Sequence, residues 1–302
     1  MDSTGLDSVV LNFSATSMTV LNMVLAVVMF SIAIDLTPSD FRRLLYTPRA
    51  LLTGLASQFL LLPALTFLLV LATQPQPSIA LGLILVAACP GGNISNFITH
   101  RAGGNAALSV SMTAFATVGA IVLTPLNIAF WGGLYGPTRD ILRATEIDPV
   151  SVAITVGFML VLPLILGVTL RGAKPALAAR LRGPLQTLSM VIFLTFIVLA
   201  LASNWQNFKL FAGAVALLVF LHNALALAGG YGLATLARLS PFDRRAVTIE
   251  TGIQNSGLGL ILIFGFFGGL GGMAVVAAFW GFWHAVTGLG LAALMNRTKA
   301  NR

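Results

Sequence analysis

Charge is scarce in this sequence. Aspartate, glutamate, lysine and arginine make up 9% of its 302 residues, and hydrophobic residues 57%; a soluble domain is about a quarter charged. So few charges cannot form a polar shell around so much apolar surface, and lipid is the natural solvent for such a chain. Cysteine is nearly absent: Cys89 stands alone, which excludes an internal disulfide and a cysteine-rich metal site. No GxxxxGK[ST] string occurs, so ATP-driven pumping has no support. His100, His222 and His284 lie far apart in sequence and form no HExxH, and there is no GxSxG; a zinc or serine hydrolase in the membrane lacks its motif. Residues 1–17, MDSTGLDSVVLNFSATS, carry Asp2 and Asp7 but no base. They lack the basic start of a secretory signal, and no cleavage is expected. Asn12-Phe13-Ser14 is a glycosylation sequon, relevant only in a secretory pathway.

What is present is a series of long apolar runs. A spanning helix needs about 20 mostly apolar residues, and nine segments qualify, near 18–36, 50–72, 78–101, 105–131, 150–170, 185–204, 210–237, 246–267 and 272–295. The fold expected is an all-α polytopic membrane protein, with residues 1–302 forming one transmembrane domain. The net charge of +8 is a membrane-surface signal rather than a nucleic-acid one, because the basic residues sit in short loops. Fourteen of the 17 lysines and arginines follow odd-numbered segments or lie at the C-terminus; only Arg139, Arg143 and Lys209 fall on the other side. Basic residues stay in the cytoplasm. The N-terminus is therefore expected outside and the C-terminus in the cytoplasm, in a cell membrane. The excess of Arg over Lys and the abundance of Ala and Gly suit a bacterial inner membrane.

Two of the segments are interrupted. The third reads PSIALGLILVAACPGGNISNFITHRAGG, with Pro90, Gly91 and Gly92 breaking the ladder and Asn93, Ser95 and Asn96 following. The eighth reads RRAVTIETGIQNSGLGLILIFGFFGG, where Glu250, Thr251, Gln254, Asn255 and Ser256 interrupt it around Gly252 and Gly257. Non-helical backbone survives at membrane depth only where protein or a water-filled cavity surrounds it. Paired broken helices in corresponding halves of a chain point to a transporter's binding site. Their placement predicts an inverted repeat, about 18–131 and about 150–295, with the first helix of repeat one missing. Glu250 is the one acid or base well inside a predicted span. A membrane carboxylate is costly and marks function, and its carboxylate, amide, hydroxyl and carbonyl neighbours suit a hard cation such as sodium. The second halves of both broken helices start near Asn93 and Asn255. Helix N-termini there favour an anionic group.

At these residues the chain resembles the bile acid:sodium symporter family. The matching strings are CPGGNISN with NAALSVSMT downstream, ETGIQNSGLG, WHAVTG in the last segment, LAVVMFSIAIDL in the first, and Gln58 in ASQFLLLPA; the likeness runs over about residues 20–295. It implies the nine-helix form of the family fold, a core domain with two crossing broken helices beside a panel domain. It implies two coupling sodium ions. Carried over by position, the first would be held by Ser95, Asn96, Ser109, Thr113 and Glu250. Ser109 and Thr113, four apart, share a helix face. The second would be held by Gln58, Glu250 and Gln254 with the carbonyls of Thr251 and Ile253. Substrate contacts would be Asn93, Asn255 and His284. Ala285 replaces a polar residue that often follows that histidine. The implied activity is sodium-coupled symport of an organic anion by alternating access, the cargo being a bile-acid-like steroid or a small carboxylate such as pantoate. A proton-coupled carrier of similar architecture and a non-transporting membrane sensor stay open. Partners expected are the small anion, sodium and the bilayer, with no nucleic acid and no obligate protein.

Other residues read more plainly. His222 with Asn223 is a helix–helix hydrogen-bonding pair in the seventh segment, His100 is interfacial beside Arg101, Asp35 ends the first segment, and Cys89 packs as a small residue. Trp131 and Trp205 sit at helix ends as belt anchors. The 14-to-3 split of basic residues sets a direct test of the topology. In a Cys89→Ser background, a cysteine at Ser8 is expected to react with an impermeant maleimide from outside intact cells, and one at Ala300 is not. Labelling of both from one side would break the nine-segment count.

Overall fold

The computed structural model describes residues 15–34, 48–92, 94–146, 148–203 and 205–300. In chain order these form α1 (Ala15–Ala33), α2 (Pro48–Thr73), α3 (Pro77–Ala88), α4 (Ile94–Arg101), α5 (Ala106–Leu134), α6 (Gly136–Ala144), α7 (Pro149–Ala173), α8 (Pro175–Ser203), α9 (Trp205–Leu236), α10 (Pro241–Gly252), α11 (Ser256–Phe266) and α12 (Gly271–Ala300). Among the described residues, α2, α5, α7, most of α9 and α12 are long and apolar enough to cross a membrane. The two segments expected to be interrupted are each two helices, α3 with α4 and α10 with α11. Asp35, Asn12 and Asn93 lie outside the described residues.

Three features differ from the sequence reading. α8 begins at Pro175, ahead of the expected 185, because the preceding PALAARLRG is rich in good helix formers yet too polar to count as a span. The connection after α5 contains a short helix, α6, too short to register as a membrane segment. Third, α2 and α7 each carry one π-turn, at Ser57–Leu61 and Gly157–Val161. The cause is Pro63 and Pro163. A helical proline has no N–H and its ring crowds the carbonyl four residues back. The ladder just before each proline slips to five-residue spacing, Leu62 N–H donating to the Ser57 carbonyl and Leu162 N–H to that of Gly157. Such π-turns cluster at functional sites.

α3 and α11 lie at the centre. Residues 78–88 of α3 and 256–263 of α11 are buried, and their apolar side chains join one core with Met273, Val276 and Trp280 of α12. The outward faces of α2 and α7 keep Leu60, Leu68, Ile154 and Phe158 exposed, as a lipid-facing surface requires. Small residues set the closest approaches, since lipid gives helices no hydrophobic reason to associate and packing must do so. A Cβ on Gly82 of α3 would lie 2.8 Å from the Met273 Cα of α12, and one on Gly230 of α9 would lie 2.9 Å from Thr251 of α10. α1 packs on α7 and α8.

The Gly82 contact is with backbone, which cannot swing aside. Gly82→Leu is expected to lower the apparent melting temperature of the purified protein by several degrees, an overpacking cost of about 1–3 kcal/mol. Gly172→Leu, where a Cβ meets nothing within 4 Å, is expected to melt like the parent.

Candidate functional site

The two breaks are built by residues that cannot continue a helix. Cys89 precedes Pro90, which forces the preceding residue out of the helical region, and its φ/ψ of −70/155° is extended. Ile253 is likewise extended at −121/107° after α10 ends. The two stretches then pair in an antiparallel bridge between Gly91 and Gln254. Gly92 N–H donates to the Ile253 carbonyl (2.7 Å) and Asn255 N–H to that of Pro90 (2.9 Å). Side chains satisfy three further carbonyls: Thr124 donates to that of Ala88 (2.7 Å), Gln58 to that of Cys89 (2.9 Å) and Asn223 to that of Gly252 (2.8 Å). Gly91 and Gly92 are needed for the closeness. A Cβ on Gly91 would strike the Glu250 carboxylate, and one on Gly92 would stand 2.7 Å from the Gln254 carbonyl oxygen.

Glu250, near the C-terminal end of α10, is 2% exposed. Its Oε2 accepts from Ser95 Oγ (2.6 Å) and lies 3.1 Å from Ser109 Oγ; its Oε1 accepts from Thr113 Oγ1 (2.7 Å). Asn96 Oδ1 stands 2.8 Å from Ser109 Oγ and 3.2 Å from Thr113 Oγ1. All five residues expected around a first cation are thus brought together, from α4, α5 and α10. Protons are short here. Each hydroxyl has one, so the three hydroxyls cannot bridge all five of these oxygen–oxygen contacts. Oxygen lone pairs face one another around a buried carboxylate, an arrangement that a hard cation relieves.

The second expected set is only partly assembled. Gln58, on the π-turn of α2, donates from Nε2 to Gln254 Oε1 (2.6 Å), and Gln254 Nε2 lies 3.2 Å from Gln58 Oε1. Gln254 Nε2 also donates to the Thr251 carbonyl (2.8 Å), and the Ile253 carbonyl accepts from Gly92. The two amides and both carbonyls therefore bond to protein groups. Among the described residues, the hydrogen bonds of the Glu250 side chain run to the first cluster instead.

Of the expected substrate contacts, Asn93 lies outside the described residues. Asn255 caps α11, its Oδ1 accepting from Leu258 N–H (3.0 Å), and its side-chain Nδ2 donor lies 4.0 Å from Met29 Sδ on α1. His284 on α12 is buried with no partner at Nδ1. No hydrogen bond joins it to Asn255 among the described residues. Both offer N–H donors, which suit an anion.

Some contributors escaped the sequence reading. Ser57 accepts from Thr251 Oγ1 (2.8 Å), and Thr287 of α12 donates to Asn223 Oδ1 (2.7 Å), completing a chain to the Gly252 carbonyl. Ser57 was signalled only by its place beside Gln58, and Thr287 by its place one turn beyond His284. His222 lies 2.6 Å from Thr66 Oγ1 of α2, its ring 4.5 Å from that of Trp280, a helix–helix contact as expected.

Comparison with known proteins bears on the same residues. The family model described as the sodium bile acid symporter family matches residues 22–210, a stretch holding Gln58, the first break, Ser109 and Thr113. The chain is 32% identical over 238 residues to a rice protein (Oryza sativa subsp. japonica) named probable sodium/metabolite cotransporter BASS2, chloroplastic, covering 79% of this chain and 55% of that one. It is 29% identical over 273 residues to the uncharacterized sodium-dependent transporter YocS of Bacillus subtilis, covering 90% and 82%. It is 34% identical over 209 residues to human sodium/bile acid cotransporter 4, covering 68% and 46%. The chain thus spans about half the length of the rice and human proteins. All three are named as transporters, not as enzymes. With more than half its length matched by the family model, and with the first break inside that match, the chain belongs to the sodium bile acid symporter family.

Proposed function

We propose that the chain is a sodium-coupled symporter that carries a small organic anion across a membrane by alternating access. The observation that carries this reading is the pocket around Glu250, a buried carboxylate with more oxygen contacts than protons to bridge them. One sodium ion would replace the missing protons there, held by Ser95, Asn96, Ser109, Thr113 and Glu250. A second would enter when the Gln58–Gln254 pair parts, turning both amide oxygens and the Thr251 and Ile253 carbonyls toward it, with Glu250 shared. The anion would take the donors of Asn93, Asn255 and His284, close to both cations. Each species then lowers the electrostatic cost of binding the other, which is the physical content of coupling.

The architecture proposed has nine spans in an inverted repeat, about 18–131 and about 150–295, within a single domain. α2 to α5 and α9 to α12 would form the core, and α1, α7 and α8 the panel. The packing of α1 on α7 and α8 and the side-chain amide of Asn255 against Met29 of α1 support that division, with the anion donors at the seam. The positive-inside bias puts the C-terminus in the cytoplasm of a bacterial inner membrane.

In proteoliposomes, Glu250→Gln is expected to abolish sodium-driven uptake, because one carboxylate serves both cations. Ser109→Ala and Thr113→Val each remove one hydroxyl against a carboxylate and are expected to weaken apparent sodium affinity roughly 10- to 100-fold. Uptake in Glu250→Gln that stayed sodium-dependent would remove Glu250 from the coupling. Uptake driven equally well by a pH gradient without sodium would favour the proton-coupled reading, in which a protonated Glu250 supplies a further proton to the same pocket.

Two sodium ions with one monoanion carry net positive charge. Inward current is expected when substrate and sodium are added together, and its loss in Asn255→Ala/His284→Ala with sodium binding intact. Faster transport of neutral or cationic compounds than of anions would rule out this site.

A further inference from the structure

A cavity of about 220 Å³ lies between α5, α6, α7 and α11, away from the Glu250 pocket. Its lining is mainly apolar, from Ile128 of α5, Val152 of α7 and Leu262, Phe266 and Phe267 of α11, but it also includes Arg139 and Arg143 of α6. These two arginines are unusual. Together with Lys209 they are the only basic residues on the side that the loop charges assign to the exterior, and two of those three line one cavity.

α6 is fixed so that they do. Thr138 Oγ1 donates to the Gly132 carbonyl (2.6 Å) and lies 2.9 Å from the Tyr135 carbonyl oxygen, pinning the start of α6 to the end of α5. Leu142 packs on Gly132, where a Cβ would come within 2.8 Å of its Cδ1. Arg139, Leu142 and Arg143 fall at i, i+3 and i+4, one helix face, and all three line the cavity. The acids nearby do not. Asp140 falls on another face of α6, Glu146 lies beyond the helix, and Asp148 is engaged at the start of α7 by the N–H groups of Val150 and Ser151 and the Ser151 hydroxyl.

We infer that this cavity is an outward-facing docking site for a small organic anion, its carboxylate set between Arg139 and Arg143 and its apolar body among Ile128, Leu262 and Phe266. Paired guanidinium groups suit a carboxylate, which they can hold by bidentate, charge-assisted bonds. Size narrows the ligand. An apolar cavity of about 150 Å³ accepts a benzene ring, so this one, at about 220 Å³, has room for a single ring or a branched chain and does not enclose a whole steroid nucleus. The inference deepens the transporter reading, on which it rests for the outward facing of α6. It assigns the cargo to small carboxylates and gives the anion a first stop before the crossover. Both arginines are exposed, so the site gathers anions and raises their local concentration rather than holding them tightly. An anionic phospholipid head with its chains offers the same chemistry, and the lipid composition of the test separates the two.

The test is equilibrium binding of radiolabelled benzoate to the full chain in phosphatidylcholine nanodiscs, in sodium-free buffer. Benzoate is expected to bind, and neutral benzamide and the steroid cholate are not expected to displace it. Arg139→Gln/Arg143→Gln is expected to weaken binding at least about tenfold, and Arg139→Lys/Arg143→Lys much less. Gly133→Leu fills the cavity from α5 at a position where a Cβ meets nothing within 4 Å, and is expected to weaken binding with both arginines in place. Equal benzoate binding by the parent and the Arg→Gln pair overturns the proposal. So does displacement of benzoate by phosphatidylglycerol in the discs, which makes the site a lipid site, or tighter binding of cholate. Because neither sodium nor transport enters this measurement, a failure here leaves sodium-driven uptake untouched. A chain that fails to couple to sodium can still pass.

Discussion

The structure depends on two broken helices answering each other's backbone. An unpaired peptide group in a low-dielectric interior costs several kcal/mol, and two open breaks would be prohibitive separately. Gly92 to Ile253 and Asn255 to Pro90 close them against one another. Much else follows from that pairing. Glycine is required at 91 and 92, because any side chain there would meet Glu250 or the Gln254 carbonyl. Asn255 must cap α11, and Asn223 must reach across from α9 to the Gly252 carbonyl. The same pairing brings α4 and α10 together so that Ser95 meets Glu250.

Charge is the second constraint. A carboxylate surrounded by hydroxyls and an amide oxygen is partly solvated by protein, yet the same three hydroxyl protons must also serve Asn96 Oδ1. In the proposed reading, a monovalent cation would supply what is missing without a fixed counter-charge that would hold the site shut. The neighbouring glutamine pair behaves differently. Its amides satisfy each other, so a cation there must displace an existing bond. On this account the two ion positions differ in preorganisation, and filling the second changes the contacts of α2 with the break.

Much of this was legible in the sequence, for physical reasons. Pro90-Gly91-Gly92 cannot be helix, a carboxylate such as Glu250 is costly in lipid without partners, and Ser109 and Thr113 share a face by helical spacing alone. The expected breaks fell where the structure has them, and the first cluster assembled as expected. Both ligand sets came from resemblance, with spacing adding only the shared face of Ser109 and Thr113, and in the second set the structure joins Gln254 to Gln58 and to the Thr251 carbonyl but not to Glu250 among the described residues. The π-turns were not read, although Pro63 and Pro163 were in view, because a proline specifies that a ladder must yield but not how. α6 was hidden because a nine-residue amphipathic helix has neither the length of a span nor the composition of a turn. Ser57 and Thr287 carried only the signal of their neighbours Gln58 and His284, since what they do lies in a contact across the fold.

The measurement that tests the central claim most directly is the thermal stability of the purified protein against sodium concentration, at constant ionic strength made up with potassium. A ligand that binds only the folded state raises stability in a saturable way. The account predicts a saturable rise in melting temperature with sodium, none with potassium, and loss of that rise in Glu250→Gln. An equal response to both ions, or a sodium response that survives in Glu250→Gln, would contradict it.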